Sequence, residues 1–473
     1  MDREIKPIGK QKEVLALPPI GHTVVLGTAG SGKTTMALFR AIGLANLPNS
    51  PNVLVITFNT ALVQYMSNIC KTQLKNLKIE NYHKFARGYL NSIGEMPTWG
   101  GVLDKKDEYI QMALDDLRKV YPEESTLKRS LNAYLDEIAF IEKFGFESEE
   151  QYYQAERIGR AAMNIRRDNR KWIFMVYKRY LAIRKANGQS YDWDDIALYV
   201  YKGLLADDRP RRYQHIIVDE GQDFSPMMIR SLIEAVDEGG SFSFFGDVSQ
   251  QIYGGRMSWR DAGIRLGDRG IWRFTKNYRN PGTIALFAKD ITESQYWEKN
   301  ADAVEPDEMI AMGPKPVLIH FDTEKQEQEW IVEQLKIKQD EGSSNVVVCR
   351  THEILKSIRL RMVQSGIRPT IIDKTNGGYS KGQTVYLTTY HTAKGLEFDN
   401  VFMPMLSSGL FPDKEKLEQA VSADAVMADE LKLLYVAATR AKFGLFMSYH
   451  QTLTELFPKD STYYEYVEGM DLL

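Results

Sequence analysis

Only two cysteines, Cys70 and Cys349, occur in 473 residues. That is too few for a disulfide framework or, alone, a zinc site, and a reducing, cytoplasmic setting is the expectation. No apolar run approaches the ~18 residues that span a bilayer. The opening MDREIKPIGKQKEV is charged where a signal peptide is apolar, so no membrane partner is expected. Neither charge is in excess: 60 Lys and Arg face 63 Asp and Glu, a net of -3. That excludes a histone-like polycation, and any nucleic-acid binding must come from a local patch. Internal repeats and low-complexity tracts are lacking. His22, His215, His320 and His352 are scattered without metal-ligand spacing and read as structural. What remains is an ordinary globular composition, 43% hydrophobic and 26% charged. The length suggests about three domains at ~150 residues each.

Short apolar, β-rich runs recur. Thr23–Gly27, Val53–Phe58, Ile216–Glu220 and Phe242–Asp247 form one set. Lys315–Phe321, Asn345–Arg350, Thr384–His391, Val401–Met405 and Gly444–Tyr449 form another. Such runs read as buried strands of parallel sheets. Helical stretches separate them, such as Lys33–Asn46 and Thr323–Lys338, so a doubly wound α/β architecture with two cores is expected. Between Glu95 and Gly188 strand signals vanish, and helical patterns such as Lys105–Val120 and Gln151–Asn187 predict an insertion in the first core. The expected division is 1–94 and 189–273 for the first core, 95–188 for the insertion and 274–473 for the second core. Within the insertion, Arg157 to Lys185 is strongly basic, with Trp172, Phe174, Tyr177 and Tyr180 interleaved. Two readings stand side by side: a phosphate track with aromatics free to stack on bases, or a solvated helix whose rings face a core.

Gly27-Thr28-Ala29-Gly30-Ser31-Gly32-Lys33-Thr34 matches G-x-x-x-x-G-K-[ST], after a strand and opening a helix. The glycines let backbone N–H groups close on phosphate oxygens, and the new helix offers its positive end. Lys33 is expected on the β- and γ-phosphates, Thr34 at Mg²⁺, and Thr35 with the loop residues at the nucleotide. ATP with Mg²⁺ is the expected cofactor pair. A second strand ends in Asp219-Glu220. Asp219 would hold the metal, and Glu220 would orient and deprotonate the attacking water.

Asp219-Glu220-Gly221-Gln222-Asp223 resembles the D-E-x-Q-D box of UvrD/Rep-like superfamily 1 helicases. Gln11 resembles that family's adenine-reading glutamine. Thr57-Phe58-Asn59 and Tyr82-His83-Lys84-Phe85 look like its DNA-contact motifs, and Tyr191–Asp195 (YDWDD) is similar to its D-F-D-D stretch. Gly246–Tyr253 (GDVSQQIY) resembles G-D-x-x-Q-x-I-Y, and Asn277-Tyr278-Arg279 matches N-Y-R. Tyr390–Phe398 (YHTAKGLEF) matches H-x-x-K-G-L-E-F, and Leu434–Lys442 matches Y-V-A-x-T-R-A. The resemblance implies two RecA-like parallel-sheet cores with a helical insertion in the first. It implies that Gln250 senses the γ-phosphate, that Arg279 and Arg440 reach it from the second core, that Tyr278 stacks on adenine and that Glu397 accepts from the ribose. Phe58, Asn59, His83, Tyr253 and His391 would line a single-strand path. Asp192, Asp194 and Asp195 become a structural strap, not a nuclease centre.

Three departures from the pattern matter. Only about a hundred residues separate Arg279 from Val385, where the family carries a large accessory subdomain, so processive unwinding is in question. The position two after Tyr253, often aromatic in the family, is Gly255; Trp259 substitutes for it or is a core tryptophan. After the last motif the sequence offers Ser461–Leu473, acidic and aromatic, and no fused nuclease is expected. The leading expectation is an ATP-dependent translocase or 3′-5′ helicase on single-stranded or tailed duplex DNA, with polarity implied by the resemblance. The alternative is a DNA-stimulated ATPase switch controlling a separate nuclease or effector. A P-loop kinase or transporter ATPase leaves Arg279, His391–Phe398 and Arg440 without a role.

Overall fold

The computed structural model describes residues 7–58, 60–69, 74–96, 101–155, 165–247, 258–267, 270–278, 280–297, 308–309, 312–373, 384–419 and 422–469. Two all-parallel sheets dominate. The first runs in the order Leu77–Asn81, Val53–Thr57, Tyr213–Val218, Val236–Gly246, Gly21–Gly27 and Ile271–Phe274. Its central strands are covered on both faces, so Val24 to Leu26, Val53 to Ile56 and Ile216 to Val218 are fully buried. That double burial is why they read as unbroken apolar runs. The order brings the ends of three neighbouring strands together: Gly27 ends one, and Asp219 and Asp247 follow the other two, at the carboxyl termini where ligands bind in open α/β sheets.

The second sheet runs Thr370–Ile371, Val385–Thr389, Asn345–Cys349, Phe398–Met403, Ala441–His450, Val317–Phe321 and Glu465–Glu468. In the interval where the family carries its accessory subdomain, the described residues build second-core elements. These are the helices Gly282–Thr292, Glu324–Asp340 and His352–Gln364 with the strands between them. The strands absent from the sequence reading are mostly edges. Leu77–Asn81 (LKIEN) and Glu465–Glu468 (EYVE) mix polar and apolar residues because only part of each is covered.

The insertion packs Lys106–Val120, Leu131–Phe144, Glu149–Gln154 and Arg170–Ala186 around a core of their own. The helical pattern expected over Gln151–Asn187 is met in the described residues by the end of Glu149–Gln154, which stops at Ala155 (ψ 134°), and by Arg170–Ala186, which follows a 3₁₀ turn, Arg167–Asn169. The aromatic reading of the basic stretch is corrected. Phe174, Tyr177 and Tyr180 are buried in the insertion core, and Trp172 meets Tyr121 edge-on. Arg170 is buried and donates to the carbonyls of Tyr152, Tyr153 and Ala155. Arg179 pairs with Asp116, and Arg184 with Asp192 and Asp195. Arg166, Arg167, Lys171, Lys178 and Lys185 face solvent, as does Arg179 beside Asp116; Arg157 and Arg160 lie outside the described residues.

Candidate functional site

The phosphate loop is shaped by its glycines. Gly30 and Gly32 have φ of 72° and 83°, conformations that favour glycine. A Cβ on Gly27 would lie 2.4 Å from Ser31 Oγ. The Lys33 ammonium donates to the carbonyls of Gly27 (2.9 Å) and Thr28 (2.7 Å), and lies 3.6 Å from Asp247. Thr28 Oγ1 and Ser31 Oγ are buried without a hydrogen-bond partner, beside Ala29, which is also buried. Gln11 donates to the Ser31 carbonyl at 3.0 Å, and Tyr278 N–H donates to the Gly30 carbonyl at 2.8 Å. Both residues expected at the nucleotide base therefore touch this loop. Thr34 and Thr35 sit half-buried in the first turn of the helix Lys33–Ala45.

Asp219 and Glu220 follow the strand Tyr213–Val218. Thr34 hydrogen-bonds Asp219, whose Oδ2 is buried without a partner. Burial and the neighbouring Glu220 push the Asp219 carboxyl up. A buried carboxylate with one oxygen unanswered, beside a threonine hydroxyl and partnerless loop hydroxyls, fits a hydrated Mg²⁺ and nucleotide phosphates.

Burial opposes ionisation of Glu220 as well, but Lys394, Lys33 and Arg440, with a hydrogen bond from Gln222, hold it below the usual range. Glu220 adopts φ 53° and ψ 40°, left-handed backbone that a non-glycine residue rarely takes. Gln222 fixes it there: its Nε2 donates to Glu220 (2.5 Å) while its Oε1 accepts from Asp247 N–H (2.9 Å). No role was expected for Gln222 from sequence.

The second core closes on this site. Arg440 is buried, donates through Nε to the Val436 carbonyl at 2.8 Å and through Nη2 to Thr439 Oγ1 at 3.0 Å, and acts electrostatically on Glu220. Asn280, also without an expected role, grips the backbone on both sides of it, donating to the carbonyls of Thr439 (3.1 Å) and Ala441 (2.6 Å). Asn277 and Asn280 exchange two further bonds of 3.1 Å around the intervening Tyr278-Arg279. Glu397 pairs with Lys442 at 3.5 Å. Arg279 and Gln250 lie outside the described residues.

Beside the acids is a cavity of about 400 Å³. Phe58, Thr60, Asn81, His83 and Trp193 line one side, His391, Thr392 and Lys394 the other, with Glu220 and Asp223 between. Phe58 meets His83 edge-on at 5.8 Å, and His83 meets Trp193 at 5.0 Å. Burial holds the His83 imidazole below its usual range. Trp193 is the residue that sequence reasoning missed. It stands where the family's stretch has an aromatic, and its indole donates to Asp104 at 2.8 Å. Asn59 and Tyr253 lie outside the described residues. Trp259 is not brought to this cavity: it packs edge-on against Phe244, 5.2 Å away, beside the first core.

The strap acids flank Trp193. Glu142, Asp192 and Asp194 place oxygens within 4.8 Å of one another, but the Lys106 ammonium sits among them, 3.2 Å from Asp192, 3.0 Å from Asp194 and bonded to Glu142. A lysine already supplies the cation there. His22 accepts from Arg265 N–H, and His215 bonds Ser241. His320 pairs with Glu468, and His352 opens a helix. Cys349 is buried, which pushes its thiol up; Cys70 lies outside the described residues.

A family model described as the UvrD/REP helicase N-terminal domain matches residues 9–269, and one described as the UvrD-like helicase C-terminal domain matches 374–452. A probable DNA helicase of Mycoplasma pneumoniae is 24% identical over 457 residues, covering 90% of this chain and 80% of that protein. The putative ATP-dependent DNA helicase YjcD of Bacillus subtilis is 24% identical over 448 residues, covering 88% and 56%. RexA, an exonuclease/helicase subunit of Lactococcus lactis subsp. cremoris, is 29% identical over 159 residues, covering 30% and 13%. With the first of these models covering more than half of its length, this chain belongs to the UvrD/REP helicase family.

Proposed function

We propose that this protein is a DNA-dependent ATPase that moves along single-stranded DNA in the 3′ to 5′ direction and separates strands at a tailed duplex. The observation that carries the reading is that Lys394 of the second core bonds Asp223 of the first at 2.5 Å and lines one cavity with Glu220 and His391. The phosphate loop with Lys33, Thr34 and Asp219 holds ATP and Mg²⁺, and the metal, when bound, neutralises developing phosphate charge. Glu220, charged and oriented by Gln222, accepts a proton from the attacking water. Arg440, with Arg279, meets the γ-phosphate from across the cleft, and Gln250 relays its presence. Gln11 and Tyr278 receive the base, and Glu397 the ribose. Phe58, Asn59, His83, Tyr253, Trp193 and His391 grip the strand. Because the cavity of Phe58, His83 and His391 includes Glu220 and Asp223, a strand bound there touches the hydrolytic centre. Hydrolysis then loosens the clamp and lets the cores shift along the strand.

A second reading is a DNA-stimulated switch that licenses a separate nuclease. It is favoured by the interval after Asn280, whose described residues build second-core elements in place of a large subdomain. Strand displacement by the purified chain on a 3′-tailed duplex tests the choice. ATP-dependent displacement supports the motor, while DNA-stimulated hydrolysis without displacement supports the switch. ATP turnover indifferent to DNA removes both.

A further inference from the structure

A second cavity, about 320 Å³, opens beside the edge strand Leu77–Asn81 and shares no lining residue with the one holding His83 and His391. Its floor is apolar: Phe85, Leu204, Tyr213 and Ala235, all buried. Its rim is basic. Five cations line it against two acids, Glu80 and Asp207. Both acids are answered: Lys78 lies 2.7 Å from Glu80, and Arg209 donates to both oxygens of Asp207 at 2.8 Å. Arg211 is spent on the carbonyls of Leu204, Asp207 and Glu234. Lys84 and Arg212 are exposed and pair with no acid among the described residues, which leaves the rim positive.

The mouth is kept open by a glycine. Gly88 lies inside the helix Tyr82–Ser92, where glycine costs ~1 kcal/mol relative to alanine. A Cβ there would meet nothing within 4 Å, so no packing contact calls for glycine. Its consequence is a cavity mouth without a side chain across it.

We propose that this cavity seats an acidic peptide segment of a partner protein. One apolar side chain of the segment rests on the floor, and its carboxylates face Lys84 and Arg212. Charge complementarity selects the partner's sign, and the adjoining sheet edge suits an extended chain. A single strand would answer the rim as well and set a base on the aromatic floor, and the oligonucleotide arm of the test separates the two. The proposal goes beyond the motor or switch reading and does not depend on it.

The test is fluorescence anisotropy of the full chain with a labelled peptide of about ten residues, Asp and Glu around a single Phe. Saturable binding in the range of ~1–100 µM is expected. It should weaken by about tenfold or more with Gly88→Met, which fills the mouth, or with Arg212→Glu, and not with Gly88→Ala. Far-UV circular dichroism should show Gly88→Met folded. A peptide with Ser for Phe should bind more weakly, and an oligothymidylate should not displace the probe. Absence of saturable binding, or equal binding by Gly88→Met, overturns the proposal. Displacement by the oligonucleotide overturns it in favour of a nucleic-acid contact.

Discussion

Lys394 and Asp223 lie 171 residues apart in the chain and 2.5 Å apart in space, a buried ion pair that crosses from one core to the other. Burial still pushes the Asp223 carboxyl up to about 6, so the pair is held by its geometry against a desolvation cost. The same ammonium is the foremost charge keeping Glu220 ionised. One lysine thus joins the cores and favours the charged form of the Glu220 carboxyl.

Lys394→Met is expected to strand Asp223 as an uncompensated buried acid and to cost ~3–5 kcal/mol. Thermal or chemical denaturation reads the loss. Adding Asp223→Asn to the same chain should restore most of it. A double variant no more stable than the single one would show that the pair is not its source.

Glu220→Gln keeps the shape of the side chain and one acceptor oxygen for Gln222, and removes its charge and basicity. Nucleotide titration should give near-wild-type ATP binding, while phosphate release falls by ~10²–10⁴. Turnover near wild type would exclude Glu220 as the base.

Arg440→Ala should abolish turnover with a smaller change in nucleotide affinity, since an arginine reaching the γ-phosphate contributes ~10³–10⁵ in rate. Asn280→Ala, which frees the backbone flanking Arg440, should show the same split to a lesser degree. A selective loss of DNA binding by either variant would instead place these residues on the strand path.

The two tryptophans should separate cleanly. Trp193→Ala is expected to weaken single-strand binding by ~1–3 kcal/mol, the worth of a stacked base. Trp259→Ala should leave DNA affinity nearly unchanged and lower the denaturation midpoint. Fluorescence titration with an oligothymidylate decides, and the reverse pattern would move the stacking role to Trp259.

Reversing the exposed Arg166 and Arg167 to Glu should weaken DNA binding and flatten its dependence on salt. Arg170 is excluded from this test because it is buried on three carbonyls, so reversing it would unfold the insertion whatever the DNA does. An unaltered salt slope would assign this stretch to solvation alone.

The buried strands were readable because sheets covered on both faces force continuous apolar runs, as in Val53–Thr57. Edge strands such as Leu77–Asn81 carry one wet side and left no such run. The phosphate loop and its acids were readable because phosphate and metal chemistry restrict residue type at fixed spacing. The basic helix allows two readings because composition is silent on which face of a helix turns inward. Arg170 and Lys171 are neighbours in sequence, and one caps carbonyls while the other meets water. Gln222 and Asn280 were missed for a related reason. Their work is to hold another residue's backbone or carboxylate, a task that depends on distant partners and leaves no mark at short range.

The left-handed backbone at Glu220 sets local strain against charge pairing at one position. An L-residue held in that conformation costs about 1–2 kcal/mol that a glycine would not. Glu220→Gly would relieve that strain but leave buried Lys394, Lys33 and Arg440 facing a vacated anion position, a loss of ~3–5 kcal/mol that outweighs the gain, so the charges gathered around it hold the chain to its awkward turn.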